Sequence, residues 1–203
     1  MIIVDEDFLN AEEIAYMQRS IVQGEIFNTG WVFDSDSQLG HDLSSENLQI
    51  VSDERYDGSP QICLVGSNGS SLINPNFDAY AKSLLAKFAM KHNIPVQEVL
   101  RTKSTVTFPK PDPRPDYAHI DYNTPGYVIL IYVVDSDGDT VLYNEKFAGE
   151  KVSDLTERLR ITPKAGKAVL FDNYIWHAVY NPVNSKFRQI INMNFTAPTL
   201  EIK

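Results

Sequence analysis

A chain of 203 residues, 43% hydrophobic and 22% charged, has the size of one ordinary domain and the composition of a globular one, which excludes disordered and fibrous architectures. Its formal net charge of -9 argues against a surface that tracks phosphates and makes nucleic acid a poor default partner. Cys63 is the only cysteine, so no internal disulfide can form, a secreted and stapled scaffold is excluded, and a reducing compartment fits best.

The chain opens Met-Ile-Ile-Val-Asp-Glu-Asp, acidic where a secretion signal needs basic charge. The longest apolar run, Tyr127 to Val134, is too short to span a bilayer. A cytoplasmic protein without a membrane partner is expected. Asn10 followed by Glu13 reads as a capping box, and Ile14, Met17 and Ile21 recur at helical spacing, which predicts a helix over 11–23. Residues 24–74 mix short apolar pieces with Asp- and Ser-rich stretches and have no order legible in the sequence. Asn74-Pro75 then marks a helix start, with Phe77, Tyr80, Ala81, Leu84, Leu85 and Phe88 on one stripe and a stop near Asn93, before Pro95.

From about Leu100 the texture changes to short segments rich in Val, Ile, Thr and aromatics, separated by Pro, Gly and Asp. They read as strands over 102–108, 117–121, 127–134, 139–144, 159–162, 167–171, 176–180 and 187–196. Eight short strands in some ninety residues suit a jelly roll, a double-stranded β-helix. The expected architecture is a single domain, mainly β with flanking helices. Residues 1–99 form a helical and irregular support packed on one sheet, and 100–197 form the core.

His119 and Asp121 stand two apart on a predicted strand, where alternation turns both to one face. Alone this pair is weak, because a His-x-Asp arises easily by accident. Each residue taken singly reads better as a hydrogen-bonded histidine or a turn carboxylate than as a ligand. Two later residues add the weight: His177 at the start of a further strand, and Arg188 eleven residues beyond it. Two imidazoles and one carboxylate on one side of an iron(II) ion make a facial triad that leaves three coordination positions open. The face carrying Arg188, Ile190, Asn192 and Asn194 is polar enough to line a cavity. His41 and His92, in a polar loop and at a helix end, read as non-ligands, and Cys63, between Ile62 and Leu64, as buried filler.

With these residues in order, the segment 100–197 resembles the iron(II)/2-oxoglutarate-dependent dioxygenase superfamily, nearest its prolyl 4-hydroxylase-like branch. Asp137-Gly-Asp-Thr-Val-Leu-Tyr-Asn144 is similar to the family's glycine-rich strand after the His-x-Asp. Pro163-Lys-Ala-Gly-Lys-Ala-Val-Leu-Phe171 is similar to the turn leading into the second histidine, and His177-Ala-Val-Tyr-Asn-Pro-Val183 to the stretch around it. Gly138-Asp139 stands where the family often has two glycines, and Arg188 where many prolyl hydroxylases have lysine.

The resemblance implies iron(II) held by His119, Asp121 and His177, with 2-oxoglutarate and dioxygen as co-substrates and ascorbate as a reductant. It implies hydroxylation of a substrate C-H bond with conversion of 2-oxoglutarate to succinate. Arg188 would grip the distal carboxylate of 2-oxoglutarate through paired, charge-assisted hydrogen bonds, with Thr140 and Tyr132 as further contacts. Tyr122, Asn123 and Trp176 flank the ligands and are the substrate-binding candidates. The stiff run Pro109-Lys-Pro-Asp-Pro-Arg-Pro115 reads as a connector or as a lid. A cupin-type metalloenzyme without 2-oxoglutarate would need a further ligand, which the sequence does not offer. A silent jelly-roll binding module is the other alternative. The substrate stays open among a prolyl or other protein side chain, an amino acid, a small metabolite and a nucleobase.

Overall fold

The computed structural model describes residues 1–25, 30–34, 49–51, 60–111, 114–149 and 154–198. Among them the chain runs β1 (Ile2–Asp5), α1 (Ala11–Ile21), β2 (Trp31–Asp34), β3 (Gln49–Val51), β4 (Gln61–Asn68), β5 (Ser71–Leu72) and α2 (Pro75–His92). It continues with β6 (Glu98–Thr107), β7 (Ala118–Ile120), β8 (Tyr127–Tyr132), β9 (Thr140–Lys146), β10 (Glu157–Ile161), β11 (Ala168–Asp172), β12 (Ile175–Val179) and β13 (Arg188–Thr196). Two antiparallel sheets result. The larger has the order β1-β11-β8-β13-β6-β4-β2, with β5 on β4, and the smaller β10-β9-β12-β7-β3. This is the expected jelly roll.

The local signals explain both helices. The Asn10 carboxamide accepts from the backbone of Glu12 and Glu13, while Glu13 returns a bond to the Asn10 N-H, satisfying donors that α1 would otherwise leave open. Asn74 accepts from the Phe77 N-H, Pro75 sits in the first turn, and Asn93 closes α2 in the left-handed conformation at φ 53°.

Strand alternation divides the larger sheet into two faces. Ile129 and Ile131 of β8, Ala168 and Leu170 of β11, and Ile191, Met193 and Phe195 of β13 point outward and pack under Met17, Phe77, Leu84, Leu85 and Phe88 of the helices. Val128, Leu130, Tyr132, Val169, Phe171 and Ile190 point inward. The helices therefore cover one face, and the other is free to build a cavity against the smaller sheet.

The region before residue 99 does more than support. β1 extends the larger sheet along Ile2↔Phe171 to Asp5↔Ala168, β4 pairs with β6, β2 pairs with β4, and β3 joins the ligand-bearing sheet through Ile50↔His119. The expectation of a helical and irregular region is corrected accordingly. These strands are short or lack strict alternation, so periodicity within the sequence does not single them out.

Phe88 is fully buried and meets Phe8 edge-on at 5.4 Å between ring centroids. Phe88→Ala should lower stability by about 3–5 kcal/mol, read as a shifted denaturation midpoint with unchanged slope.

Candidate active site

β7 and β12 lie side by side with His177 directly opposite His119. Their rings come within 4.4 Å, centroid to centroid. Each imidazole is oriented by a bond from Nδ1 to a backbone carbonyl two residues earlier: Tyr117 at 2.9 Å for His119 and Ile175 at 3.2 Å for His177. A neutral ring donating from Nδ1 keeps the lone pair on Nε2, the form in which imidazole binds metal. Both Nε2 atoms point at Asp121 Oδ1, at 3.5 and 3.8 Å. The three ligand atoms lie within 4.8 Å of one another. Ligand-to-metal distances of about 2 Å place such atoms around one ion, so the donor set fits a divalent transition metal with open positions.

Charge in this site is strongly perturbed. Asp121 is held far below the usual carboxylate range: burial opposes ionisation, but Arg101 and the two histidines outweigh it. Burial, then the neighbouring His119, push His177 down to about 4. His119 also loses solvation, but its contact with Asp121 raises it on balance.

Arg188 opens β13 and is 3% exposed. Its Nε donates to the Gly138 carbonyl at 2.9 Å and its Nη2 to Thr140 Oγ1 at 2.7 Å. Tyr132 donates to the same Thr140 oxygen at 2.8 Å, and its ring lies 5.8 Å from the guanidinium carbon. Burial pulls the pKa of Arg188 down, yet a guanidinium stays charged. Among the described residues no carboxylate pairs with it at salt-bridge distance. Arg188 and Thr140 line the same cavity as His119, Asp121 and His177. Arg188 thus sets a buried positive charge without a salt-bridge partner on the cavity wall.

Gly138 makes this placement possible. A Cβ there would meet the Tyr180 carbonyl at 2.6 Å, the Pro182 nitrogen at 3.0 Å and Arg188 Cδ at 3.1 Å. Asp137 beside it caps the turn before β13, accepting from the backbone N-H groups of Val183, Asn184 and Ser185.

The cavity also contains residues that the sequence reading did not single out: Gln61 on β4, and Arg101, Lys103, Thr105 and Thr107 on β6. The last four alternate with strict period two along the strand. Thr107 stands opposite Arg188 in the sheet, is 2% exposed, and its Oγ1 has no hydrogen-bond partner. Thr107 thus adds a buried hydroxyl with no protein partner to the Arg188 end of the cavity.

Of the substrate candidates, Trp176 needs correction. Strand alternation that turns His177 inward sends Trp176 to the outer face of the smaller sheet, fully buried edge-on to Phe147 at 5.9 Å. It is not a cavity wall. Tyr122 lies just past Asp121, under Arg101 at 5.5 Å, and its hydroxyl donates to Asn68. Asn123 is exposed and does not line the cavity. His92 binds Asp5 at 2.8 Å, away from the cavity; His41 lies outside the described residues. Cys63 is buried, as expected. Asp112 and Pro113 of the proline-rich run lie outside the described residues. Its flanks are stitched to the β12–β13 turn by Lys110 N-H to the Pro182 carbonyl and by a bridge between Pro115 and Tyr180.

Sequence comparison alone finds neither a matching protein family nor a matching curated relative. Structure comparison does find matches. A prolyl-4-hydroxylase of Pseudomonas putida aligns at TM-score 0.51 and 15% identity, over 97% of this chain and 92% of the other. A 2-oxoglutarate-iron(II) oxygenase family protein of Burkholderia pseudomallei aligns at 0.60 and 12%, over 96% and 84%. This chain has the fold of the iron(II)/2-oxoglutarate oxygenases. The α-ketoglutarate-dependent carbocyclase SnoK of nogalamycin biosynthesis aligns at 0.63 and 12%, over 97% and 79%. The same fold thus serves different outcomes in different proteins.

This geometry makes two outcomes measurable. His177→Ala should abolish binding of manganese(II) in a fluorescence or magnetic-resonance titration while leaving far-ultraviolet circular dichroism unchanged. Gly138→Ala should force the β9 and β13 ends apart and destabilise the protein by about 1–3 kcal/mol, measured by chemical denaturation.

Proposed function

We propose that this protein is an iron(II)- and 2-oxoglutarate-dependent oxygenase that hydroxylates a substrate C-H bond. The observation that carries the reading is the meeting in one cavity of a two-histidine, one-carboxylate cluster and a buried arginine with no carboxylate partner among the described residues. Iron alone would explain the cluster. A chelating dicarboxylic acid explains the arginine as well.

His119, Asp121 and His177 would hold the metal on one face. Arg188, Thr140 and Thr107 would take the distal carboxylate of 2-oxoglutarate, with Tyr132 fixing the Thr140 hydroxyl by its own donated bond. Leu130, Val179 and Ile190 supply apolar cavity wall that excludes water from the reacting centre. When bound, the metal supplies the oxidising chemistry. One dioxygen, one 2-oxoglutarate and one substrate C-H bond give one alcohol, succinate and carbon dioxide, so no side chain is required as a proton shuttle. Ascorbate would keep the metal reduced. Among the described residues the cluster has three ligand residues and no fourth, which favours this reading over a cupin site.

The prolyl hydroxylase among the structural neighbours makes peptidyl proline the first substrate to test, followed by amino acids and small metabolites. The lone cysteine supports a reducing, cytoplasmic setting, and the net charge of -9 supports a partner other than nucleic acid.

Purified protein given iron(II), ascorbate and 2-oxoglutarate should form succinate, faster with substrate present. No binding of 2-oxoglutarate in the presence of manganese(II) would refute the proposal. A hydrogen bond to a charged group is worth about 1.5–3 kcal/mol, so Thr107→Val should raise the 2-oxoglutarate Kd roughly 10- to 100-fold. Arg188→Met should raise it further, with Arg188→Lys intermediate, metal affinity being unchanged in all three.

A further inference from the structure

β7 ends at Ile120, one residue short of Asp121. Strand geometry therefore does not by itself aim the third ligand. What aims it comes from the opposite sheet. Oδ2 of Asp121 accepts from Arg101 Nη2 at 3.0 Å, Asn192 Nδ2 at 3.1 Å and Asn194 Nδ2 at 2.8 Å. Arg101 lies on β6 and both asparagines on the inward face of β13, and Arg101 Nε also donates to Asn194 Oδ1 at 3.0 Å, tying the donors together.

A carboxylate oxygen has two lone pairs, and three donors saturate it. Oδ1 is left as the atom that faces His119 and His177. Asn192 underlines the arrangement. Its own Oδ1 is buried with no partner, a cost of about 1–3 kcal/mol, and turning the amide over would set that oxygen against the Asp121 carboxylate.

We propose that Arg101, with Asn192 and Asn194, is a positioning residue for the metal site: by filling Oδ2 of Asp121 from across the cavity, it aims Oδ1 at the histidines and holds the carboxylate to one-oxygen ligation. The consequence is coordinative. A bidentate carboxylate would take a fourth position, leaving room for the chelating co-substrate and none for dioxygen; ligation through one oxygen keeps three positions open. The inference rests on the metal-site reading proposed above.

The experiment is a metal titration of the intact protein with manganese(II), and with cobalt(II) observed by visible absorption, without co-substrate or turnover. Arg101 as no more than a neighbouring cation repels the ion, so Arg101→Met would then tighten binding. A positioning role has the opposite sign. Arg101→Met should weaken metal binding about 10- to 100-fold and change the cobalt spectrum, and Arg101→Lys should recover most of both. Asn192→Ala leaves Arg101 in place and guards against an unfolded variant; it should shift the cobalt spectrum in the same direction by less.

Unchanged or tighter binding by Arg101→Met, or a wild-type protein that binds neither metal, overturns the proposal. Metal binding with the expected variant effects but no affinity for 2-oxoglutarate supports the positioning role and refutes the proposed function instead.

Discussion

His177 and His119 face each other as register partners on β12 and β7, and the rest of the site is arranged around that pairing. Two imidazoles opposite each other on neighbouring strands share one side of the sheet, and each ring is steered by a carbonyl two residues earlier on its own chain. A one-residue slip of β12 would reverse its side chains, turning Trp176 toward the cavity and sending His177 into the cluster around Phe147. Burial guards against that slip. Trp176 is fully buried on the outer face and would lose its packing on turning inward.

A cavity between two sheets carries an electrostatic cost that a sandwich filled with aliphatic side chains does not. Arg101, Lys103, Asp116, Asp121 and Arg188 all line it, and charges in such places are stable only when paired or hydrogen-bonded. The two ends meet this demand differently. Around Asp121 three donors crowd a single carboxylate oxygen, which holds the group ionised and oriented. Around Arg188 carbonyl and hydroxyl acceptors orient the guanidinium, and among the described residues no carboxylate reaches it at salt-bridge distance, Asp139 and Asp116 acting on it only from farther off. One end of the cavity thus gathers ligand atoms suited to a cation and the other holds a buried guanidinium without a salt-bridge partner, and the proposed metal and dicarboxylic acid would satisfy both.

The sequence was legible where one local rule decides the outcome. Asn10 with Glu13 and Asn74 with Pro75 placed both helix starts within a residue, because capping is chemistry between near neighbours. The eight strands after residue 98 were visible through β-branched and aromatic content between turn residues. β1 and β4 escaped because each is defined by its partner: Ile2 and Ile3 become a strand only against Phe171 and Leu170. The ordered ligand set could be read as a pattern, but the side of the strand on which Trp176 lies is a matter of register with His177. Proximity in sequence drew it to the site, and alternation removes it.

β6 shows what such a reading gains from a sheet partner. Arg101, Lys103, Thr105 and Thr107 alternate with Thr102, Ser104 and Val106, so both faces of the strand are largely polar and period two alone does not say which is the cavity. The pairing with β13 decides it: Thr107 opposite Arg188, Thr105 opposite Ile190, Lys103 opposite Asn192 and Arg101 opposite Asn194 share the inward face. Their neighbours Thr102 and Ser104 instead spend their hydroxyls on Asp78 and on the Ile190 carbonyl. A strand with two polar faces survives in a sheet interior because each face has its own set of partners. On the outer face those partners are within the protein, whereas on the inner face the Thr107 hydroxyl has no protein partner and faces the cavity.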